Sequence, residues 1–498
     1  MSDCIVQVKI LSTAIDAVSA ARLSECLAKS LTPLVERCVA VAQAPLTPEV
    51  AANTEQKLQH DLREVGRELW SFTLNRLAQA EELPPRVRIG HDEYRRRPPS
   101  RLRLSTLFGV VNVSRFLLEP LQEGERCIFP FDLRLGVVAG HVSAPLAEKI
   151  ARLAANCTQS EVREQLRTDH RAELSVDRLR RVVASISEAV VPFIQPAQVA
   201  LLLRWLEQAE RSTGRHRPTL AVGRDGCDLP ILHEHEYKVG SVATVSVLDR
   251  RGKRLGTIYL GVMPEAGQTT LTRQLTALLQ AVLLKSATVP RLVYLTDGGY
   301  HETSYFRTLR QMRHPRTGDR LTWERVIDFF HVCEYVTRLG EVLFGKGRRA
   351  SAWAHKMRHW LRDKPNGACR VIHSAAAHCV GRYLTKKEEK EYRTCLNYLR
   401  RRIRLADYHG LRKRGLPIGS GITEAACKIV FTQRFKRSGM KWLRESGQHV
   451  LTLRTLTLSG IWPAVYQNYL RHRAEAIPDA LNPGTNATIS AKPMRKAA

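Results

Sequence analysis

Three acidic residues occupy positions in which a carboxylate could hold a metal ion. Asp225 and Asp297 each follow an apolar segment and precede a glycine, in AVGRDG and RLVYLTDGG, and Glu424 lies in the basic segment GSGITEAACKIVFTQRFKR. Carboxylates at strand ends or among basic residues usually need a partner, and a divalent cation is a common one. Converging carboxylates can hold two such ions about 4 Å apart, one activating a water or a 3′-hydroxyl and one stabilising the leaving oxygen.

The donor set favours two Mg²⁺ ions, with Mn²⁺ as the nearest substitute, because these ions prefer hard oxygen ligands. Each residue also has a structural interpretation. An Asp directly before Gly is a common turn former, and a Glu in the first turn of a helix is favoured by the helix dipole. The metal hypothesis therefore requires that the three residues come together in the fold.

A second polar pair, Asp328 and His331, follows in DFFH at the end of another predicted strand. The imidazole of His331 could orient a scissile phosphate or transfer a proton in catalysis. A structural His that is hydrogen-bonded to a backbone group is an equally good interpretation.

The overall charge predicts a polyanionic partner. The chain of 498 residues has 78 Lys and Arg against 48 Asp and Glu, a formal charge of +30 and a sequence pI of about 10.1. Double-stranded DNA is a better partner than a membrane surface, because no basic amphipathic helix stands apart as an anchor. The alternative is that these side chains only solvate the surface. The basic residues after Glu424 that could hold a DNA backbone over the acids are Lys428, Arg434, Lys436 and Arg437.

Helical periodicity dominates the first part of the chain. Apolar residues recur at three- and four-residue spacings over residues 1–85 and again over 143–195. Between them, residues 86–142 are basic and contain a predicted β-hairpin in TLFGVVNVSRFLLEP. The region 143–195 divides into three predicted helices, and Ser160 and Ser175 are the predicted N-caps of the second and third.

The short polar turn between the second and third of these helices has the size that a helix-turn-helix uses. The second helix of such a pair lies in the DNA major groove. This arrangement predicts DNA contacts by Arg178, Arg180 and Arg181. A plain three-helix bundle has the same apolar periodicity and is the alternative.

Strand periodicity appears in residues 215–331. Three strands predicted as a meander are followed by an amphipathic helix and two further strands, which is the order of an RNase H-like sheet. Strand ends are where active sites assemble in open α/β sheets, which suits Asp225 and Asp297. The fold class is therefore α/β. The chain after residue 331 is predicted to form an all-helical insertion over residues 332–415, further core helices over 416–470 and a disordered tail over 471–498.

Cysteine usage and hydropathy predict a cytoplasmic protein with no membrane partner. The 11 cysteines are scattered singly, with no CxxC pair, which argues against a disulfide framework and a structural zinc site. No run of about 18 apolar residues and no N-terminal signal pattern is present.

The most specific of these segments resemble a known family. PIGSGITEAACKIVFTQRFKRSGMKW, together with VGRDG, YLTDGGYH and DFFHVCEYV, is similar to the ISKra family of bacterial insertion-sequence transposases, which are related to the Mutator-type DDE enzymes. The resemblance runs from about Ser105 to about Trp462. It implies an RNase H-like fold with a helical insertion before the Glu, and it implies that Asp225, Asp297 and Glu424 are the metal-binding catalytic acids.

The same resemblance extends to Asp328 and His331, which look like the DxxH pair that follows the second Asp in Mutator-type enzymes. One departure is visible in LLEPLQEGERCIFPFD, which lacks the paired cysteines that similar transposases often carry. A zinc-stabilised N-terminal module is therefore not expected here.

These observations together predict a DNA transposase that cleaves insertion-sequence ends and joins the 3′-hydroxyls to target DNA. Both steps are in-line attacks at phosphorus, so one metal site can serve both. The alternatives are a structure-selective nuclease on the same fold and a non-catalytic repressor derived from a transposase. A glycosidase also uses paired carboxylates, but the charge of +30 disfavours it. Because two element ends must be brought together, a homo-oligomer is expected.

Overall fold

The computed structural model describes residues 17–43, 45–122 and 124–481. Within them the chain is mixed α/β, mostly helical, with one three-stranded and one five-stranded sheet. It divides into two compact units. The first unit takes the described residues up to Ala189 and those from Tyr466 on, and the second unit takes Val190–Val465.

The first unit begins with two helices and a small antiparallel sheet. The elements are α1 Ala17–Ala42, α2 Pro48–Gln79, β1 Arg86–Ile89, β2 Asp92–Thr106 and β3 Gly109–Pro120. The predicted hairpin is therefore a three-stranded sheet in the order β1-β2-β3. Its middle strand contains the basic, Pro-containing segment, and the register shifts between Arg97 and Ser100, where two prolines cannot donate to the ladder.

Helices follow in the region predicted as a helix-turn-helix. They are α3 Pro130–Leu135, α4 Ala144–Ala154, α5 Gln159–His170 and α6 Val176–Arg211. Ser175 accepts from Arg178 N at 3.3 Å at the start of α6, as predicted. Ser160 does not cap α5; Thr158 does, in a reciprocal capping box with Glu161 that satisfies two backbone donors.

The helix α6 is longer than predicted, because it continues through Pro192 and Pro196 to Arg211. Among the described residues it is the one helix that could cross a membrane by length and composition alone, and 44% of its most apolar stretch is buried in the protein. The core helix of a soluble protein passes the same test. The predicted DNA contacts on its first turns are exposed: Arg178, Arg180 and Arg181.

The second unit contains the five-stranded sheet. Its elements are β4 Thr219–Leu229, β5 Lys238–Leu248, β6 Arg254–Val262, α7 Thr269–Lys285, β7 Arg291–Thr296, α8 Tyr300–Gln311 and β8 Trp323–Ile327. The strand order is β6-β5-β4-β7-β8. The first three strands form the antiparallel meander, and β7 and β8 run parallel to β4. The order of elements agrees with the prediction, except that DFFH begins a helix instead of ending a strand.

Residues 329–413 contain helices and no strand. The helices are α9 Phe329–Phe344, α10 Arg348–Asp363, α11 Gly367–Cys379, α12 Lys386–Arg402 and α13 Tyr408–Lys413. Their core is continuous with the sheet, because Leu295 and Ile327 are buried in the same cluster as Leu339 and Leu399. Burial of side chains of this size contributes roughly 1.5–3 kcal/mol each. The insertion is therefore held against the end of the sheet where Asp297 follows β7.

The chain then returns in α14 Gly421–Ala426, a π-helical turn Cys427–Thr432, α15 Gln433–Phe435, α16 Arg444–Leu458 and α17 Trp462–Glu475. The predicted disorder from residue 471 starts too early. The helix α17 reaches Glu475, and Leu481 is 2% exposed in a cluster with Leu83 and Val87 of the first unit. The remainder of the predicted tail, residues 482–498, lies outside the described residues.

Candidate active site

Asp225 and Asp297 lie at the same level on neighbouring parallel strands, Asp225 within β4 and Asp297 directly after β7. The parallel pairing of β4 with β7 ends at Gly223 opposite Leu295, and each aspartate lies two residues beyond that pair. Burial raises the pKa of the Asp225 carboxyl, and the negative charges of Asp297 and Glu302 raise it further, to about 6. Two residues that are 72 positions apart in the sequence are thus electrostatic neighbours.

The local setting of Asp225 differs from the prediction. It does not end its strand, because β4 continues to Leu229 and Asp225 pairs with Val242 of β5. Gly226 is an extended strand residue, and the hydrogen bonds of the antiparallel partner keep the strand going past it. The predicted turn is present only after Asp297, where Gly298 has a φ of +87° and Gly299 N donates to Asp297 Oδ1 at 2.9 Å.

The helix that carries Glu424 is attached to the same part of the sheet by the residues on either side of it. Thr423 Oγ1 lies 2.9 Å from Thr244 Oγ1 of β5, and Cys427 Sγ donates to Asp225 Oδ2 at 3.2 Å. A Cβ at Gly223 would overlap Thr423 Oγ1, so a glycine is needed for this close approach. Burial raises the pKa of the Cys427 thiol, and the charges of Asp225 and Glu424 add to that effect. Glu424 itself is exposed.

Asp328 is 2% exposed, and its carboxylate is hydrogen-bonded to two separate segments of the chain. Its Oδ1 caps α9 by accepting from the backbone N–H groups of Phe330 and His331. Its Oδ2 accepts from Ser420 N at 2.7 Å and from the Ser420 hydroxyl. Asp328 therefore joins the start of α9 to the GSG loop that precedes Glu424, which makes it a positioning residue.

His331 lies in the first turn of α9. Its Nδ1 is 3.5 Å from Glu334 Oε2, and its ring packs edge-on against Tyr335 and Tyr398. Within the described part of the chain it forms no hydrogen bond with the three predicted acids. Its half-exposed ring lies in an aromatic cluster, and a catalytic role for it is still a prediction.

A fourth acid, Glu302, lies beside Asp297 and was not predicted. A Cβ built at Gly299 would meet both Glu302 Oε2 and Asp297 Oδ1, so the two carboxyl groups flank the same backbone. Burial raises the pKa of Glu302, and the charge of Asp297 adds to it. An acid in the first turn of the helix after TDGG is the sequence signal that could have identified Glu302.

The basic residues after Glu424 do not share one exposed face. Lys428, Lys436 and Arg437 are exposed, whereas Arg434 is 3% exposed and lies over the ring of Trp442, 5.0 Å from its centroid. The predicted DNA contact by Arg434 is therefore wrong. The π-helical turn inserts an extra residue and rotates the positions that follow, so that Arg434 faces the core.

The carboxyl groups have the chemistry of a Mg²⁺ site, although no set of three or more His, Cys, Asp or Glu in the described ranges is close enough to form a ready metal site. Burial raises the pKa of the Asp225 carboxyl, and the negative charges of Asp297 and Glu302 add to that effect, so the three carboxyl groups repel one another. Hard carboxylate oxygens under such mutual repulsion suit a divalent cation.

Known proteins identify no family for this chain. No family model matches it, and no curated protein is significantly similar to it in sequence.

Proposed function

We propose that the protein is a DDE-type transposase of an insertion sequence, with an RNase H-like catalytic core in which Asp225, Asp297 and Glu424 hold two Mg²⁺ ions. The observation that carries the proposal is the convergence of two strands and one helix. The parallel register brings Asp225 and Asp297 level, and Thr423 and Cys427 attach the Glu424 helix to the same strands.

The topology of the second unit supports the RNase H-like core. An antiparallel meander followed by two parallel strands gives the sheet order β6-β5-β4-β7-β8. A helical region stands between β8 and the helix that bears Glu424. The acids thus come from the central strand, its parallel neighbour and a helix after the insertion, as the resemblance to the ISKra family implies.

The residues of the chain have separate tasks in this proposal. Mg²⁺ bound by the three acids would activate the attacking water or 3′-hydroxyl and stabilise the leaving oxygen. Asp328 holds the loop before Glu424 in place, and the hydrogen bond from Cys427 orients the carboxylate of Asp225. The exposed side chain of Lys428, one turn after Glu424, is available to a DNA phosphate.

The test uses the full chain, duplex DNA taken from both flanks of its coding sequence, a target plasmid and Mg²⁺. The wild-type protein should cleave the flanks and join them to the plasmid. Asp297→Asn should reduce both reactions by at least about 100-fold, because a metal ligand contributes several kcal/mol to the transition state. Mg²⁺ should raise the melting temperature of the wild-type protein and not that of the variant.

Asp228→Asn is the matched control, because this exposed aspartate lies on the same strand as Asp225. It should keep full activity. Undiminished strand transfer by Asp297→Asn would contradict the proposal. Cleavage of branched DNA without strand transfer would favour the structure-selective nuclease, and end binding without cleavage would favour the repressor.

A further inference from the structure

Arg402, the last residue of α12, reaches the backbone that directly follows Asp297. A Cβ built at Gly298 would lie 3.4 Å from Arg402 Nε and 3.5 Å from Nη2, so the guanidinium packs on this glycine. Its other face covers the ring of Tyr398, 3.9 Å from the centroid, and Tyr398 is stacked on Tyr335 at 3.6 Å. The insertion thus holds a cation next to a proposed catalytic acid.

Arg325 of β8 is tied to the same glycine through one side chain. Its Nη2 donates to Thr303 Oγ1 at 2.7 Å, and Thr303 Oγ1 donates to the carbonyl of Gly298 at 3.3 Å. Its Nε is buried without a hydrogen-bond partner. Arg325 and Arg402 thus both lie at Gly298. Burial lowers the pKa of Arg325, and the charge of Arg402 adds to that effect.

Neither arginine has a carboxylate within 4.0 Å in the described ranges of the chain. The nearby Glu324 pairs instead with Arg291 and Arg414. Two adjacent cations with no acidic partner are unfavourable, and a bound anion would offset both the repulsion and the loss of solvation. Guanidinium groups match the geometry of phosphate, to which they donate paired hydrogen bonds.

We propose that Arg325 and Arg402 form a binding site for a phosphate group of the DNA backbone, adjacent to Asp297. This inference rests on the proposed function and names two further residues that position the DNA. Both act on the strand at the acids, so the helical insertion contributes directly to the active site through Arg402.

The test is a binding titration of the full chain with a fluorescein-labelled, random-sequence DNA duplex at several salt concentrations. Arg402→Ala and Arg325→Ala should each weaken binding about tenfold. Each should also reduce the slope of log affinity against log salt by about 0.9, the value for one phosphate contact. Arg393→Ala is the matched control, because Arg393 is on the same helix and is already paired with Glu389. It should change affinity by less than about twofold.

Equal affinity and equal salt slope in Arg402→Ala and Arg393→Ala would overturn the inference. If Arg402→Ala does not melt cooperatively, Arg402→Gln, which is also uncharged, replaces it in the comparison of affinity and salt slope with Arg393→Ala. The assignment to DNA would be overturned by a wild-type protein that does not bind the duplex but binds inorganic phosphate, if Arg402→Ala abolishes that phosphate binding. A wild-type protein that cleaves and joins DNA while the arginine variants behave like the control would reject this site and leave the proposed function intact.

Discussion

The carboxylate of Asp328 accepts a hydrogen bond from the backbone N–H of Ser420 at 2.7 Å, across 92 positions of sequence. The same carboxylate caps α9. Because both groups depend on one buried side chain, the start of the insertion and the loop before Glu424 cannot move independently. Asp328, which resembles part of a DxxH motif, thus affects the candidate site through the position of Glu424.

We expect Asp328→Ala to lower the free energy of unfolding by about 2–4 kcal/mol, because it removes a helix cap and leaves buried backbone donors without partners. Asp328→Asn should be milder, since an amide oxygen still caps α9 but the amide nitrogen cannot accept from Ser420. Urea unfolding of the three proteins would measure the order. Equal stability of Asp328→Ala and the wild-type protein would show that the hydrogen bonds of Asp328 do not stabilise the fold.

The raised pKa of Asp225 predicts a pH-dependent stability. The folded-state pKa of about 6 lies above the ordinary value of 3.8, so the folded chain binds more protons between these values. The stabilisation from the protonated carboxyl is fully present below about pH 4 and is lost as the pH rises through about 6. Asp225→Asn does not titrate, so relative to the wild-type protein it should gain up to about 3 kcal/mol over this window.

The measurement for Asp225 is urea unfolding of both proteins at several pH values in a chelating buffer, which keeps divalent ions from binding. The difference between the two proteins is the informative quantity, because the other titrating groups, including Glu302, are common to both. A difference that stays constant from about pH 4 to about pH 7 would contradict the raised pKa.

The sequence predicted the order of elements around the site better than the setting of its residues. Strand and helix periodicity is local, which is why the meander, the crossover helix, the two further strands and the helical insertion could be predicted. The continuation of β4 past Asp225 depends on hydrogen bonds to β5, and the burial of Arg434 depends on one π-helical turn. Neither leaves a periodic signal.

The neighbours that reach the acids through space were not predicted. Arg402 is more than a hundred positions from Gly298, and its contact follows from the way in which the insertion packs on the sheet. Glu302 had a local signal, its place in the first helical turn after TDGG, but the structure is what puts its carboxyl beside that of Asp297.

Gly223 tests whether the close approach of α14 to the sheet is needed for activity. A methyl group there would overlap Thr423 Oγ1, so Gly223→Ala should push the helix and Glu424 away from Asp225. A displacement of about 1 Å can cost about 100-fold in rate, and we expect a loss of that order in DNA cleavage. Thr423→Ala removes the overlapping oxygen, so the double variant should recover part of the lost rate, while Thr423→Ala alone, which loses the hydrogen bond to Thr244, should lose less rate than Gly223→Ala. Single-turnover cleavage assays of the four proteins would measure the coupling. Additive losses in the double variant would show that this contact does not position Glu424.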